Sequence, residues 1–421
     1  MVRIRKSIET LPASGISLLL HIGNTPGLLS LGFGEPSFKT PKHILDAAIE
    51  SLKVGDTHYT PDAGSLSLRE TIAEKTARDN GFLPNPETEV IVTSGTSPAL
   101  YGAIQVTVDR GDEVIIPTPA YFAYESIVRI SEGIPIPVVT NEECRFTPDP
   151  DMVANAITPK TKMIIVCSPN NPTGSVLDKE CLKAVADLAI DHDLLVLSDE
   201  LYEKIVYDDV KNYSPASING MQERTLTING LSKSHAMTGF RLGWIIASEE
   251  IITAFNKTHK YSSICAPVVS QAAAITALEG PQDAVVEMVS EYDRRRRLLV
   301  DRVNREVPFI SAREPQGSFF LLANVKELVK HRLNDMISYL KNEAKPFLSS
   351  IPHDLFTMSG LERSGSLVSM LYLITAGKVL TASGAFFGMG GEGYLRLSFA
   401  QTYDSINAAV DSIIDALSKL E

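Results

Sequence analysis

The chain has 421 residues, a formal net charge of −12, 44% hydrophobic residues and 21% charged residues. This is the composition of a soluble globular protein that is long enough for two domains. The acidic balance argues against binding to nucleic acids or to anionic membranes, because both carry the same sign of charge.

The cysteines and the apolar runs limit the classes of protein further. The four cysteines, which show no Cys-x-x-Cys spacing, are Cys144, Cys167, Cys181 and Cys265. So few thiols argue against a disulfide framework or a bound metal and are typical of a cytoplasmic protein. No apolar stretch reaches the roughly 20 residues that a membrane-spanning helix needs. The nearest, Leu367–Thr375, is predicted to be a buried strand or another part of the core.

From about residue 90 to residue 247, short apolar runs alternate with helical patterns. The predicted strands are Glu89–Thr93, Glu113–Pro117, Ile134–Val139, Met163–Cys167, Leu194–Ser198, Thr225–Asn229 and Leu242–Ala247. The predicted helices between them include Ser97–Val108, Tyr121–Ile130 and Lys179–Asp191. Apolar strands that alternate with helices indicate an α/β fold, with a mostly parallel sheet covered on both faces. In such sheets, ligands bind at the carboxyl ends of the strands.

After Pro267 the pattern changes to long helices with fewer strands. The predicted elements are the helices Pro267–Glu279 and Gln282–Val307, the strands Gly317–Ala323 and Gly393–Phe399, and the helix Thr402–Leu420. Segregated helices and strands predict an α+β second domain.

Lys233 is the first candidate for chemistry. It follows the predicted strand Thr225–Asn229 and lies among small residues, which let a ligand approach the backbone closely. A lysine amine can condense with an aldehyde and then act as a base, although a lone lysine in a loop is more often simply solvated. Arg241 offers a planar guanidinium suited to a phosphate. Together they point to a phosphorylated aldehyde, pyridoxal 5′-phosphate (PLP).

Three upstream residues could serve the ring of such a cofactor. Asp199 ends the apolar run Leu194–Ser198, where a carboxylate would keep the ring nitrogen protonated. A cap on the following helix is an equally good interpretation. Tyr202 and Asn171 are candidate donors to the phenolic oxygen of the ring. A core tyrosine and a plain turn are the alternatives.

Further residues could bind the two anionic groups. Ser94–Ser97 follows a strand and opens a helix, so its free amides, with the hydroxyls of Thr96 and Ser97, could receive a phosphate or only cap the helix. Tyr121 could stack on the pyridine ring or pack in the core. Arg396 lies in an apolar strand and could bind a substrate carboxylate. A structural ion pair or an outward edge position is the alternative.

With these residues in view, the sequence resembles the class I/II PLP-dependent aminotransferases of fold type I, the aspartate aminotransferase superfamily. The motifs that carry the resemblance are Tyr59–Gly64 with Leu68-Arg69, Ser168–Gly174, Asp199–Tyr202, Ser232-Lys233 and Gly239–Arg241. The match runs from Gly34 to Phe399, and the joint order of the motifs is far more specific than any one of them.

The resemblance implies an α/β, fold type I PLP-dependent transferase. Its large, PLP-binding domain would have a mostly parallel seven-stranded sheet and cover residues 46–285, with a smaller α+β domain made from residues 1–45 and 286–421. The implied catalytic residues are Lys233 (the Schiff-base lysine), Asp199 and Tyr202. The implied cofactor-binding residues are Thr96, Ser97, Tyr121, Asn171, Asp199, Tyr202, Ser232, Lys233, Arg241 and Tyr59. The implied substrate-binding residues are Gly34, Asn171 and Arg396.

The implied activity is transfer of an amino group from an L-amino acid to a 2-oxo acid by a ping-pong mechanism. Tyr59 is similar to the tyrosine that reaches the phosphate of the neighbouring subunit, which implies a homodimer with shared sites. A PLP-dependent lyase on the same fold, of the C–S β-lyase or 1-aminocyclopropane-carboxylate synthase type, is the alternative. A non-catalytic PLP-binding regulatory module is disfavoured because the catalytic residues are intact. A dehydrogenase is disfavoured because Gly-x-Gly-x-x-Gly is missing after a first strand.

Three features depart from the family pattern. Gly230 stands where many relatives place a serine or threonine toward the phosphate. The segment Lys326–Ser369 is longer than usual, and we hypothesise that it covers the mouth of the active site. No second arginine for a dicarboxylate is evident, which argues against aspartate as the substrate. The sequence does not identify the amino donor.

Overall fold

The structure of the protein is a computed structural model that describes residues 4–9, 11, 15–353, 355–356 and 364–420. The helices are α1 Lys6–Glu9, α2 Gly15–Gly23, α3 Lys42–Lys53, α4 Leu66–Asn80, α5 Thr96–Thr107, α6 Ala123–Ile130, α7 Pro150–Ala156, α8 Lys179–Asp191, α9 Glu249–Ser262, α10 Val268–Glu279, α11 Asp283–Glu306, α12 Lys326–Asn342, α13 Lys345–Ser350, α14 Gly365–Gly377 and α15 Tyr403–Ser418. The strands are β1 Leu29–Ser30, β2 Val90–Thr93, β3 Glu113–Thr118, β4 Ile134–Val139, β5 Thr161–Cys167, β6 Leu195–Asp199, β7 Thr225–Gly230, β8 Gly243–Ile246, β9 Ser311–Ala312, β10 Phe320–Asn324, β11 Val379–Leu380, β12 Ala382–Ser383 and β13 Tyr394–Ser398.

A seven-stranded sheet in the order β2-β8-β7-β6-β5-β3-β4 forms the centre of the α/β part. Strand β8 runs antiparallel to β2 and β7, and the other neighbours are parallel. Its seven strands are the seven that the sequence predicts between residues 89 and 247, with ends that differ by at most two residues. The central strands β5, β6 and β7 are rich in apolar side chains and almost entirely buried, as expected for strands covered on both faces.

The carboxyl ends of the three central strands meet at one edge of this sheet. Cys167 at the end of β5 pairs in register with Asp199 at the end of β6, and Asp199 pairs with Ile228 of β7. The loops that follow β5 and β7 carry Asn171 and Lys233. Residues that are more than 60 positions apart in the chain are thus brought to one place.

A second, antiparallel sheet has the order β12-β13-β10-β9. One large cluster of buried apolar side chains packs around it, with contributions from α11, α12, α14 and α15. Every residue of β13 is buried, including Arg396. Side chains alternate between the two faces of a strand, so a strand with one exposed face would turn Arg396 toward solvent. Both faces of β13 are covered, and Arg396 is therefore buried.

The segment Leu367–Thr375 is a helix, part of α14, so the prediction of a strand there is wrong, whereas its placement in the core is right. Ser364 caps this helix by accepting a 3.1 Å hydrogen bond from the Leu367 backbone N–H. The helix packs against α12 and α15, and most of its residues are buried. A run that is apolar on all sides does not show whether it forms a buried strand or a buried helix. Each helix among the described residues is too short or too polar to cross a membrane.

Candidate active site

A cavity of about 300 Å³ opens at the carboxyl ends of β5, β6 and β7. Its lining includes Gly34, Thr96, Ser97, Tyr121, Asn171, Asp199, Tyr202, Ser232, Lys233, Arg241 and Arg396. These are all the site residues predicted from the sequence except Tyr59. Residues from seven separate segments of the chain therefore face one enclosed space, which sequence spacing by itself does not require.

Lys233 follows β7 and extends its amine into this cavity. Its Nζ donates a 2.7 Å hydrogen bond to the carbonyl oxygen of Gly34. Burial lowers the pKa of Lys233 to about 8; the carboxylate of Glu35 opposes this shift, and the charges of Arg396 and Arg241 add to it. A sizeable fraction of the amine is therefore neutral near physiological pH, which is the form that attacks a carbonyl carbon.

Asp199 is buried at the end of β6 and is held by two donors. Its Oδ2 accepts a 2.7 Å hydrogen bond from the Tyr124 hydroxyl, and its Oδ1 accepts a 3.3 Å bond from the Leu201 backbone N–H. Burial raises the pKa of Asp199, while these two bonds and the nearby charge of Lys233 act in the opposite direction. The carboxylate is thus fixed in orientation and desolvated, so a cation in contact with it would be bound strongly.

Tyr124 is a residue of the site that the sequence analysis did not single out. It is fully enclosed, and its ring meets the ring of Tyr121 edge-on, at 5.5 Å between centroids. The sequence does contain one indication of Tyr124. Tyr121 and Tyr124 are three residues apart in a predicted helix, and residues with this spacing lie on the same helix face. That spacing could have indicated Tyr124 as a second aromatic residue of the site, but not that it binds Asp199.

The amino end of α5 and Arg241 converge on one side of the cavity. Gly95 immediately precedes α5 with φ of 100°, a conformation that favours glycine. A Cβ at Gly95 would lie 2.5 Å from Nη2 of Arg241, so the guanidinium rests directly against the backbone at the start of the helix. Arg241 also donates from Nη1 to the Thr238 carbonyl oxygen at 2.9 Å. A cation, free amide groups and the helix dipole thus favour an anion here.

Position 230, which lies beside the start of α5, is a glycine for a steric reason. A Cβ at Gly230 would lie 2.9 Å from the Leu242 carbonyl oxygen and 3.1 Å from Cγ2 of Thr96. The methyl group of Thr96 thus occupies the space that a serine or threonine side chain at position 230 would need. Close packing at the helix start accounts for the glycine that departs from the family pattern.

Arg396 is buried at the other end of the cavity. It donates from Nη1 to Oδ1 of Asn171 at 3.0 Å and from Nη2 to the Gly32 carbonyl oxygen at 2.6 Å. Its guanidinium carbon lies 4.2 Å and 4.7 Å from the ring centroids of Phe320 and Phe387. Burial lowers the pKa of Arg396 to about 10.

Within the described part of the chain, Arg396 donates to an amide and a carbonyl oxygen and pairs with no carboxylate, and its Nε has no hydrogen-bond partner. The structural ion pair and the outward edge position, which the sequence left open, are therefore both wrong for the described residues. A buried cation without a counter-ion is costly. The arrangement is that of a site for an incoming carboxylate.

Tyr202 and Tyr121 both face the cavity and also pack against other aromatic rings. Tyr202 is buried, with its ring 5.3 Å from that of Phe319 in an edge-on contact, and burial raises its pKa well above the usual value. Tyr121 lines the cavity beside Phe122, at 4.5 Å between ring centroids. The two interpretations offered for Tyr121, core packing and a ring wall for a ligand, are therefore compatible.

Tyr59 lies outside the cavity. Its side chain is 80% exposed, and it lines a separate surface depression with Cys265 and Pro267. Within one chain, Tyr59 does not line the cavity of the other predicted site residues, although its depression includes Ser94, two residues before Thr96.

The hypothesis that Lys326–Ser369 covers the mouth of the active site is wrong for the described residues of that segment, since none of them lines the cavity. Its helices α12, α13 and the start of α14 instead contribute to the apolar cluster around the four-stranded sheet. Residues 354 and 357–363 lie outside the described part. The extra length adds to the core on the side of the second sheet.

The family is decided by comparison with known proteins. The family model described as aminotransferase class I and II matches residues 26–413. This chain is a class I and II aminotransferase. The aminotransferase is 39% identical to aromatic-amino-acid aminotransferase 2 of Thermococcus litoralis over 388 residues, which cover 91% of this chain and 90% of that protein. It is 40% identical to the aspartate aminotransferase of Pyrococcus abyssi over 387 residues, again 91% and 90%.

Solved structures agree with this assignment. The aromatic aminotransferase of Pyrococcus horikoshii OT3 superposes with a TM-score of 0.82 at 36% identity, covering 96% of this aminotransferase and 99% of that chain. The aspartate aminotransferase of Thermus thermophilus with maleate gives a TM-score of 0.84 at 32% identity, covering 99% and 100%. The predicted α/β fold of type I and the predicted PLP-dependent transaminase activity are confirmed.

PLP is the cofactor of this family, and the cavity of the aminotransferase fits it. The space at the start of α5 is bounded by a guanidinium and lacks a Cβ at Gly95. The opposite end holds Arg396, whose Nε has no hydrogen-bond partner among the described residues. Between them lie the Lys233 amine and the Asp199 carboxylate. One anion site at each end, with an amine and an acid between, matches a phosphorylated aldehyde together with an amino-acid substrate.

Proposed function

We propose that the enzyme moves an amino group from an L-amino acid to a 2-oxo acid by ping-pong half-reactions, with Lys233 as both the attachment point of the cofactor and the catalytic base. The observation that carries this proposal is the position of the Lys233 amine in a cavity shared with Asp199, where burial also lowers the pKa of Lys233. When bound, PLP supplies an electrophilic aldehyde carbon and a ring that withdraws electrons from the substrate Cα. Lys233 Nζ, released by the incoming substrate amine, accepts the proton that leaves Cα.

Asp199, Tyr202 and Asn171 would set the charge of the ring. In this proposal, a carboxylate oxygen of Asp199 holds the proton on the ring nitrogen. Tyr202 and Asn171 donate to the phenolic oxygen. The contact between Asn171 Oδ1 and Arg396 supports this role, because it leaves the amide nitrogen of Asn171 available as a donor.

The two anionic groups would bind at opposite ends of the cavity. Thr96, Ser97, Ser232 and Arg241 are proposed to bind the phosphate, and Tyr121 to form the ring wall. Arg396 is proposed to bind the α-carboxylate of the substrate, together with Asn171 and the backbone at Gly34. The buried guanidinium that lacks a carboxylate partner among the described residues supports the assignment of Arg396.

The proposed assembly is a homodimer in which Tyr59 reaches the phosphate site of the partner. The exposed side chain of Tyr59, beside a surface depression of about 650 Å³, supports this arrangement. The division into a domain of residues 46–285 and a second of residues 1–45 with 286–421 is part of the proposal and is supported by the two separate sheets. The proposed location is the cytoplasm. Its support is that all four cysteines, which are among the described residues, are free thiols.

One experiment tests the catalytic assignment. Holoenzyme mixed with single L-amino acids should lose the visible absorption band of its lysine-bound cofactor and release one equivalent of 2-oxo acid. Addition of a second 2-oxo acid should restore the band. Release of ammonia with continued turnover in the absence of a 2-oxo acid would instead identify a lyase.

Two variants sharpen this test. Lys233→Ala should lose both the band and the turnover. Lys160→Ala, at an exposed lysine far along the chain, is the matched control and should retain both. Turnover that persists in Lys233→Ala would refute the assignment.

The shared site can be tested by mixing subunits. Tyr59→Ala and Lys233→Ala each damage one site residue, and a hybrid dimer contains one site that carries neither change. Mixed and refolded subunits should therefore recover activity that neither variant shows alone. A mixture as inactive as its components would contradict the shared site.

A further inference from the structure

We propose that the substrate side chain binds in an apolar subsite, so that the enzyme prefers amino acids with aromatic or aliphatic side chains over aspartate and glutamate. This inference rests on the proposed function, since it takes Arg396 as the site of the α-carboxylate and Lys233 as the position of the reacting amine. The new element is the chemical class of the substrate side chain.

Apolar side chains line the cavity that contains Lys233 and Arg396. Phe33 precedes Gly34, whose carbonyl oxygen accepts from Lys233, and it lines the cavity with Ile16. On the opposite side, Phe122 lines the same cavity next to Tyr121. A side chain that leaves a Cα held between Lys233 and Arg396 therefore meets three apolar residues from three separate segments.

Tyr121 and Phe122 also line a second space of about 190 Å³, which adjoins the cavity at these two residues. Phe386 and Phe387 form part of its wall, and Phe387 is the ring that lies 4.7 Å from the Arg396 guanidinium. Gly15 at the start of α2 closes it, since a Cβ there would lie 2.2 Å from the Phe386 ring. Apolar cavities of about 150 Å³ accommodate a benzene ring. The adjoining space is therefore large enough for a phenyl group.

Every cation that lines the main cavity already has a proposed function. Among the described residues these are Lys233, Arg241 and Arg396. Lys233 lies at the reacting amine, Arg241 against the start of α5, and Arg396 at the α-carboxylate. No described cation of this chain is left in the main cavity to pair with a second carboxylate.

Two carboxylates of the chain would oppose a second negative charge. Glu35 accepts a 2.6 Å hydrogen bond from the hydroxyl of Thr238, which lines the main cavity. Glu125 lines the adjoining space, and the one arginine there, Arg129, is 3.8 Å from it in an ion pair. A substrate carboxylate placed beyond Cβ would thus meet apolar walls and have these two carboxylates nearby.

Binding of unreactive analogues to the holoenzyme gives a first test that does not depend on turnover. 3-Phenylpropanoate and succinate both carry the carboxylate for Arg396 but lack the amine, and they differ in the group at the far end. We expect 3-phenylpropanoate to bind at least about tenfold more tightly, by calorimetry. Equal or tighter binding of succinate would overturn the inference and place a cation of the partner subunit in the site.

Single-turnover reaction with L-phenylalanine and L-aspartate is the second arm. Phenylalanine should remove the visible cofactor band at least about tenfold faster than aspartate at equal, low concentrations. A faster reaction with aspartate overturns the apolar subsite but leaves the proposed function standing. A band that no L-amino acid removes overturns the proposed function itself.

A charge introduced into the wall should reverse the preference. Ile16→Lys should raise the ratio of aspartate to phenylalanine reactivity by about tenfold or more, because it supplies the missing cation. Leu20→Lys is the matched control, since Leu20 lies one turn further along α2 with 55% of its side chain exposed, and its ratio should match that of the unmodified enzyme. An unchanged ratio in Ile16→Lys would remove Ile16 from the subsite.

Discussion

The hydroxyl of Tyr124 donates a 2.7 Å hydrogen bond to Oδ2 of Asp199, and both residues are buried. The bond joins the start of α6 to the end of β6 across the floor of the cavity. It supports the ionised form of a carboxylate whose pKa burial would otherwise raise further. Tyr124 thereby positions a residue that is proposed to touch the cofactor.

Tyr124→Phe should lower kcat/KM by about tenfold, since the loss of one hydrogen bond to a buried charge costs on the order of 1.5 kcal/mol. Without the donor the pKa of Asp199 rises, so the ionised form is lost at a higher pH. The acidic limb of the pH–activity profile should therefore move to higher pH. Tyr101→Phe, at a tyrosine that is 44% exposed, is the control. An unmoved acidic limb would contradict the positioning role.

The pKa of Lys233 predicts a specific pH dependence for the apoenzyme. Because burial lowers it from 10.5 to about 8, the folded chain binds fewer protons than the unfolded chain between those two values. The Lys233 contribution to the free energy of unfolding should therefore rise with pH from about 8 to about 10.5. Urea denaturation of the apoenzyme across this range should show the rise, and Lys233→Met should abolish it. A rise that persists in Lys233→Met must come from other groups.

Arg396→Ala should raise the KM for amino acids and lower kcat/KM by about 100-fold, since a bidentate contact between charged groups is worth on the order of 3 kcal/mol. Arg396→Lys should recover only part of this loss, because an ammonium group lacks the planar pair of donors. Arg313→Ala, at an exposed arginine, should leave steady-state kinetics unchanged. If KM stays constant in Arg396→Ala, Arg396 does not bind the substrate.

A buried ion pair lies behind the turn that carries Asp199 and Tyr202. Lys75 of α4 contacts Oε1 of Glu203 and donates to Oδ1 of Asn80 at 2.7 Å, and Asn80 donates to Oε2 of Glu203 at 2.6 Å. Lys75→Met should lower the free energy of unfolding by about 3–5 kcal/mol, because it leaves Glu203 buried without its counter-charge.

Two comparisons in urea denaturation test this reasoning. Lys75→Met with Glu203→Leu should recover much of the lost stability, since Glu203 is then removed together with its counter-charge. Lys183→Met breaks only an exposed pair with Asp187 and should cost less than about 1 kcal/mol. A double variant as unstable as Lys75→Met would show that packing, and not the unpaired charge, is responsible.

Gly230→Ser should weaken the binding of PLP to the apoenzyme, even though it restores a hydroxyl common in the family. The new Cβ would press on Cγ2 of Thr96 at 3.1 Å and displace the start of α5, at a cost of about 1–3 kcal/mol. Equilibrium dialysis with PLP measures the effect. The double change Gly230→Ser with Thr96→Ser removes the methyl group and should recover part of the affinity. Tighter binding in the single variant would mean that the added hydroxyl reaches the phosphate without displacing α5.

The sequence by itself determined the seven strands of the central sheet and the chemical types of the site residues. Apolar runs of five or six residues, separated by helical patterns, are local signals, and the folded chain forms strands at these positions. The carboxyl ends of parallel strands must share an edge, so the order of the motifs already placed Asn171, Asp199 and Lys233 near one another.

Tertiary structure decided the contacts that depend on packing between distant segments. Only the covered faces of β13 show that Arg396 points inward, and only the folded chain brings Tyr124, near the start of α6, to Asp199 at the end of β6. The run Leu367–Thr375 is a helix that packs against α12 and α15. Hydrophobic periodicity reports whether one face or all faces of a segment are buried, but the identity of the covering partner is set by residues tens to hundreds of positions away. The tertiary structure therefore decided which side chains are buried, which charges have a counter-charge and which residues are in close contact.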